Sequence, residues 1–246
     1  MDYAELFQKT YYEKSAVIYD DMHALETEHR LAAEYISSFM EFLGVSSVLD
    51  VGCGTGRGLS YLVKRHPNVR AYGIEPVPAL LDRARERNIT FRDRLLCGSG
   101  ATLPFADASI DAVCEFAVLH HVREPNEFVR EMTRVARKAV FISDCNRFGQ
   151  GGFGARLAKL LLYKAGLWDA VNFFVTRGRG YKISEGDGLF YSYSVFDSCA
   201  VLAEWADKIV FMPTSNENSK SLFQPLLTAK QVLVCALKDE TRQTDE

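Results

Sequence analysis

The sequence has little of what marks secreted, membrane-spanning or nucleic-acid-coating proteins. No apolar stretch approaches the roughly 20 residues that cross a bilayer, and no basic-then-apolar segment of the signal-peptide type opens the chain. The formal net charge is −3, which argues against binding nucleic acid through overall positive charge. We therefore expect a cytoplasmic protein without a membrane span, and nucleic acid is not an expected partner.

Paired metal-binding or redox cysteines are also lacking. The six cysteines form no Cys-x-x-Cys pair, and most lie in apolar, strand-like runs, as expected of reduced, buried thiols. The adjacent His120 and His121 are predicted to point apart, because neighbouring side chains diverge on both helices and strands. No metal ion is therefore expected.

Short β-rich runs alternate with helical runs between residues 46 and 145, after a helical segment. Such alternation predicts βαβ units, and hence an α/β, doubly wound, mostly parallel sheet covered on both faces. The predicted helices cover residues 25–43, 56–66, 78–87 and 124–136. The predicted strands cover residues 47–51, 69–74, 91–96, 110–116 and 139–143.

The alternation stops after Asp144. Residues 146–194 are rich in glycine and aromatic residues and contain one good helical stretch, 155–165, so we interpret them as an insertion over the sheet. A helix at 195–205 and strands at 208–212 and 231–237 are predicted to follow. The chain is thus predicted to be a single domain, residues 1–246, that comprises a helical cap (1–45), a core (46–145), the insertion (146–194) and a C-terminal helix and strands (195–246).

The segment VLDVGCGTGRG, residues 48–58, places glycines at alternate positions directly after a buried strand. In an open parallel sheet, ligands bind at the carboxyl ends of strands, where glycine lets the backbone come close. A dinucleotide motif would need a third glycine where Arg57 stands, and no Gly-Lys-Ser/Thr follows for a P-loop. Glu75, at the tip of the next strand, suits hydrogen bonds to both hydroxyls of a ribose.

These segments, together with LPFADASIDAV (103–113) and LHHVREP (119–125), resemble the class I S-adenosylmethionine-dependent methyltransferases, in particular their small-molecule branch. The resemblance implies a Rossmann-like methyltransferase fold with a seven-stranded sheet. It also implies S-adenosyl-L-methionine as cofactor, S-adenosyl-L-homocysteine as product and methyl transfer to a small molecule by in-line displacement. Methylation of RNA or protein, a nicotinamide-dependent oxidoreductase and a catalytically silent scaffold remain the alternatives.

The resemblance implies roles for particular residues. Asp50 is expected near the amino group of the methionine moiety, and Glu75 at the ribose hydroxyls. Ser99 stands where an aspartate commonly reaches the adenine, so a weaker contact is expected there. Tyr19 either closes over the cofactor or packs the cap. The residues expected at the cofactor are Tyr19, Asp50, Gly52, Cys53, Gly54, Glu75, Pro76, Ser99, Gly100, Ala101 and Phe116.

Candidate residues for the acceptor side come from the two histidines and the insertion. We expect one of His120 and His121 to pack near the cofactor and the other to face the substrate, with a general base as the alternative role. The insertion is either a lid or a hydrophobic cap. Its basic residues either form a solvated face or orient an anionic acceptor. The candidate acceptor residues are Arg177, Arg179, Tyr181, Tyr191 and Tyr193.

Overall fold

A seven-stranded sheet forms the centre of the computed structural model, which describes residues 3–23, 27–215 and 222–239. Its strands are β1 (Ser47–Val51), β2 (Arg70–Glu75), β3 (Leu95–Cys97), β4 (Ile110–Phe116), β5 (Ala136–Cys145), β8 (Lys208–Pro213) and β9 (Gln231–Leu237). The order is β3-β2-β1-β4-β5-β9-β8. The first five strands are mutually parallel, and β9 runs antiparallel to both of its neighbours. The predicted fold class is confirmed.

Helices cover both faces of this sheet. The helices of the described residues, of which α7 and α8 belong to the insertion, are α1 (Tyr3–Ser15), α2 (Tyr19–Met22), α3 (Thr27–Phe42), α4 (Arg57–Arg65), α5 (Pro78–Arg87), α6 (Pro125–Val135), α7 (Phe153–Lys164), α8 (Trp168–Val175) and α9 (Cys199–Trp205). The predicted start of α3 at residue 25 lies outside the described residues. No helix among the described ranges combines the length and the apolar character that crossing a bilayer requires.

The core consists of two apolar layers, one on each face of the sheet. Successive β1 residues point to opposite faces, so Leu49 and Val51 join the layer under α6 and α9, whereas Val48 joins the layer under α3, α4 and α5. All five β1 residues are buried, as expected for a parallel strand covered on both sides. This packing fixes the carboxyl end of β1, where the glycine segment begins.

The insertion contains more regular structure than the sequence predicts. Besides α7, it forms α8 and a hairpin of β6 (Tyr181–Ser184) and β7 (Gly188–Tyr191), so the expectation of one helical stretch is wrong. Six of the eight α8 residues are apolar, so its helical period is hard to recognise, and each hairpin strand has only four residues.

Two smaller predictions also need correction. The predicted strand at residues 91–96 is a 3₁₀ turn followed by a three-residue β3. The predicted helix at 195–205 is a 3₁₀ turn, Val195–Ser198, followed by α9. Ser194 and Asp197 form a capping box at the start of that turn, and the box accounts for where it begins.

The start of the insertion is anchored against the segment that precedes β9. The Asn146 side-chain amide donates to the carbonyl oxygens of Leu226 and Ala229, both at 2.8 Å. Gly149 packs directly on the same loop, since a Cβ at this position would overlap the Ala229 carbonyl oxygen. A backbone carbonyl held in this way cannot move aside as a flexible side chain could.

Replacing Gly149 by alanine is therefore expected to destabilise the protein, because the added methyl group has no space. The cost of such overpacking is about 1–3 kcal/mol, and for a chain of this size that lowers Tm by about 2–12 °C. Differential scanning calorimetry measures the effect. Gly154→Ala is the matched control, since nothing lies within 4 Å of a Cβ there; equal Tm values for the two variants would contradict the packing argument.

Candidate active site

A cavity of about 940 Å³ opens at the carboxyl ends of β1 and β4. The helical cap, the glycine segment and the insertion all contribute to its walls. The insertion supplies Gln150, Ser184, Gly186, Asp187 and Phe190. Of the predicted site residues, those that line the cavity are Tyr19, Asp50, Gly52, Cys53, Gly54, Phe116 and His120.

The glycine segment leaves backbone exposed to this cavity. Gly52 and Gly54 have φ values of 78° and 53°, in the left-handed region that favours glycine. A Cβ at Gly52 would lie 2.6 Å from a methyl carbon of Val118, so packing alone explains that glycine. A Cβ at Gly54 would meet only the Tyr19 ring, at 3.8 Å. At Gly54, therefore, the backbone is exposed to the cavity beneath the Tyr19 ring of the helical cap.

Glu75 ties the glycine segment to the tip of β2. One carboxylate oxygen accepts the Gly54 N–H and the other accepts the Val77 N–H, both at 2.9 Å. The side chain is buried, and burial raises the pKa of Glu75 to about 7. Glu75 is adjacent to the cavity rather than in its lining, and the predicted Pro76 beside it is exposed to solvent.

Asp50 has a buried carboxylate oxygen, Oδ1, for which the described residues supply no hydrogen-bond partner. Its side chain lines the cavity at the end of β1. Burial, and then the charge of Glu75, raise the pKa of Asp50 to about 7. A buried, unpartnered carboxylate is costly, and a cationic ligand in the cavity would remove that cost.

The segment predicted to reach the adenine stays outside the cavity lining. The Ser99 hydroxyl accepts the Ala101 N–H at 3.2 Å, which closes a local turn. A Cβ at Gly100 would overlap the Phe128 ring, so packing on α6 explains this glycine. The contact of these three residues with a cofactor therefore remains a prediction.

His120 lies between two carboxylates. Its Nδ1 is 2.8 Å from Asp144 Oδ1, and its Nε2 is 3.2 Å from Asp187 Oδ2. Burial alone would lower the pKa of His120, but Asp144 and Asp187 raise it to about 10. Both ring nitrogens thus face acceptors, and the side chain is a cation at neutral pH. Asp144 is the penultimate residue of β5, whereas Asp187 belongs to the turn between β6 and β7.

His121 lies against His120, so the expectation that the two side chains point apart is wrong. Their ring centroids are 3.9 Å apart, because the residues form a 3₁₀ turn rather than a strand or an α-helix. His121 Nδ1 lies 2.6 Å from the Leu189 carbonyl oxygen, and Nε2 lies 2.9 Å from the Tyr12 hydroxyl. Burial, and then the charge on His120, lower the pKa of His121. The neutral His121 therefore packs behind the cavity.

The two histidines and Asp187 are residue types that bind metals, and their ligand atoms lie within 4.8 Å of one another. A metal ion on His120 would have to displace the proton that both neighbouring carboxylates stabilise. The expectation of no metal therefore stays a prediction, although the geometric reason given for it does not hold.

The five candidate acceptor residues do not line the cavity. Arg177 and Arg179 are exposed to solvent. Tyr193 is buried, and its hydroxyl lies 2.8 Å from the Ser198 hydroxyl. Tyr181 and Tyr191 pack edge to face across the hairpin.

Among the site residues that the sequence did not indicate are Tyr12, Arg30, Asp144 and Asp187. Asp144 could have been found, because it is an acidic residue at the carboxyl end of a predicted parallel strand. Arg30 and Tyr12 line the cavity from α3 and α1. No local pattern distinguishes them from other residues of amphipathic helices.

Residues 49–142 match a family model described as a methyltransferase domain. An uncharacterized methyltransferase of Mycolicibacterium gilvum is 31% identical over 144 residues, which cover 58% of this chain and 56% of that protein. A probable chloroplastic tocopherol O-methyltransferase of Oryza sativa is 30% identical over 108 residues, 41% of this chain and 30% of that protein. The chain spans about half the length of the first curated relatives it matches.

Solved structures share the fold over nearly the whole chain. Magnesium protoporphyrin IX methyltransferase from Synechocystis, with bound SAH, gives a TM-score of 0.62 at 15% identity and covers 97% of this chain and 100% of that one. A 1,6-didemethyltoxoflavin-N1-methyltransferase of Burkholderia thailandensis gives 0.60 at 14% identity, over 96% of this chain and 89% of that one. At such low sequence identities, the structural similarity establishes the fold alone.

Asp187→Asn is expected to lower the pKa of His120, because one of its two carboxylate partners loses its charge. An opposite charge at this distance changes proton affinity by about tenfold or more. Titration of the His120 ring resonances by NMR measures the change. Asp169→Asn, which removes an exposed carboxylate of the insertion, is the control. An unchanged His120 pKa in Asp187→Asn would show that Asp187 does not stabilise the imidazolium.

Proposed function

We propose that this chain transfers a methyl group from S-adenosyl-L-methionine to a small-molecule acceptor. The premise is that residues 49–142 match a methyltransferase domain and that the chain shares the fold of solved methyltransferases. The observation that carries the proposal is the unpartnered, buried Asp50 carboxylate beside the bare glycine segment. It supplies a buried anion next to exposed backbone, which suits a ligand bearing an amino and a sulfonium cation.

The residues present fit this cofactor. Asp50 would hold the amino group, and Gly54 would let the ligand lie against backbone under the Tyr19 ring. Each Glu75 oxygen accepts one backbone N–H and keeps a further acceptor position, so Glu75 could also accept the ribose hydroxyls. Thr55 donates to Asp20 and thereby fastens the cap helix that carries Tyr19 to the glycine segment.

The bound cofactor would supply an activated methyl group, which an acceptor attacks in line with the departing sulfur. The chain has to orient the acceptor and exclude water. His120 is not available as a general base while Asp144 and Asp187 keep it protonated. A general base is needed only when the nucleophile arrives protonated, so we propose an acceptor that arrives ionised.

We propose that an anionic acceptor pairs with Arg30, because the other cations of the lining, Arg57 and His120, already contact the His23 carbonyl oxygen and two carboxylates. Arg30 is exposed and lines the cavity, whereas Arg177 and Arg179 do not. The roof that the insertion makes over the cavity favours a compact acceptor over a polymer. Two of the structural neighbours are named for small acceptors, a protoporphyrin and a toxoflavin precursor, which is consistent with this class.

A cytoplasmic location is part of the same proposal. All six cysteines are free thiols, and three of them, Cys53, Cys114 and Cys235, are buried. Free thiols persist in reducing compartments.

Binding of S-adenosylmethionine is expected to tighten about three- to tenfold per pH unit between about pH 6 and pH 7.5. Asp50 has a raised pKa, so it is protonated at the lower pH, whereas the cationic ligand binds the ionised carboxylate and releases the proton. Isothermal titration calorimetry in buffers of different ionisation enthalpy measures both the affinity and the proton release.

Asp50→Asn should bind weakly with a flatter pH dependence, and Asp82→Asn, which changes an exposed carboxylate, should match the wild type. Wild-type affinity that is independent of pH, or equal binding of NADH, would contradict the assignment of Asp50 and of the cofactor.

Arg30→Gln is expected to raise KM for the acceptor about tenfold without changing cofactor affinity, because it removes a charge-assisted contact. The acceptor is first identified by mass spectrometry after incubating metabolite mixtures with labelled S-adenosylmethionine. The double variant Arg177→Gln/Arg179→Gln is the control and should keep a normal KM. If Arg30→Gln instead keeps a normal KM and the double variant raises it, the two insertion arginines bind the anionic acceptor.

A further inference from the structure

The two helices of the insertion differ in burial from the other described helices, apart from the four-residue α2. Neither α7, with 12 residues, nor α8, with eight, contains a single buried residue. Eight of the seventeen exposed large apolar side chains in the described residues lie in the insertion. A surface helix normally buries one apolar stripe against the core, whereas these helices leave most of their apolar surface exposed, although the Phe153 ring lies beside that of Phe223.

The exposed residues of α7 form a stripe. Phe153, Leu157 and Leu161 follow one another at intervals of four and are all exposed, and side chains at this spacing share one face of a helix. Lys164 continues the same face at the C-terminal end. The opposite side of α7 is the one that packs, since the Tyr163 ring contacts Phe148 and Arg147.

The end of α8 is a second apolar element. Phe173, Phe174 and Val175 are consecutive and all more than half exposed, with Phe174 at 77%. Three consecutive residues point to different sides of a helix, so one α-helical packing partner could not cover them all. A deformable apolar phase could cover all three side chains.

Exposed cations accompany these apolar residues. Lys164, Arg177, Arg179 and Lys182 are exposed, and Asp169 is the only acidic residue between residues 153 and 182. Arg156 and Lys159, by contrast, donate to backbone carbonyls within the insertion or beside it. The exposed charge around the two helices is therefore positive, although the whole chain is negative; it comes from Lys164 at the end of α7, from the loop after α8 and from Lys182 of β6.

We propose that α7, α8 and the loop of residues 176–180 form a docking surface for an anionic lipid bilayer. Aromatic and leucine side chains would enter the headgroup boundary, and the cations would pair with lipid phosphates. Helices of this kind lie in the plane of the interface and do not span the membrane. The proposal is independent of methyl transfer, because it concerns a surface that the cavity does not use.

The charge pattern argues against the other occupants. In a two-fold dimer through this surface the same patch would face itself, so cations would meet cations with only Asp169 available for pairing. RNA would pair with the arginines but would leave the Phe153, Leu157 and Leu161 stripe without an apolar partner. An anionic membrane satisfies both the charges and the stripe.

Co-sedimentation of the full chain with vesicles tests the proposal. We expect binding to vesicles in which about a third of the lipid is phosphatidylglycerol, with affinity that falls at high salt, and little binding to phosphatidylcholine alone. Phe173→Ser/Phe174→Ser and Arg177→Gln/Arg179→Gln should each weaken binding about tenfold. Phe42→Ser is the matched control, because Phe42 is 82% exposed but lies on α3.

Absence of binding by the wild-type protein would overturn the proposal. So would binding that is unchanged in the phenylalanine double variant, since the attraction would then be purely electrostatic. If the wild type is instead a dimer in size-exclusion chromatography, and the phenylalanine double variant is a monomer, the patch is covered by a second copy. Cofactor affinity and circular dichroism show that each variant is folded.

Discussion

A protonated histidine held between two buried or half-buried carboxylates is the interaction on which the candidate site depends. His120 follows β4, Asp144 lies next to the end of β5 and Asp187 belongs to the insertion. The ion pair with Asp144 links the turn after β4 to β5. The ion pair with Asp187 holds the hairpin over the cavity. Because burying an isolated charge is far more costly than burying a paired one, each partner constrains where the other two can lie.

The surroundings of this ion pair are rich in carboxylates. Burial raises the pKa of Asp50 and Glu75, and burial together with Asp144 raises that of Glu115, whose Oε1 has no hydrogen-bond partner in the described residues. These carboxylates favour the cationic cofactor, whereas the anionic acceptor is proposed to pair with Arg30. In the proposed reaction the cofactor loses its sulfonium charge when the methyl group leaves, so the same carboxylates hold the product less strongly than the cofactor.

The sequence allowed the sheet, the glycine segment and seven cavity residues to be predicted, because each depends on short-range patterns. Gly54 and Asp50 lie within a few residues of a recognisable buried strand. Asp187 could not be predicted in this way, since it meets His120 across a separation of 67 residues through a hairpin of two four-residue strands. The convergence of His120 and His121 was missed because a 3₁₀ turn after β4 follows neither of the regular periods.

Gln8 of α1 joins the first helix of the chain to the hairpin of the insertion. Its amide oxygen accepts the Leu189 N–H at 2.6 Å, and its amide nitrogen donates to the Asp187 carbonyl oxygen at 3.1 Å. Both partner residues follow Gln8 in the sequence by about 180 residues. During synthesis, therefore, α1 leaves the ribosome long before its partners exist. The roof of the cavity is translated after the five parallel strands but before β8 and β9, so the parallel half of the sheet exists before the chamber above it can close.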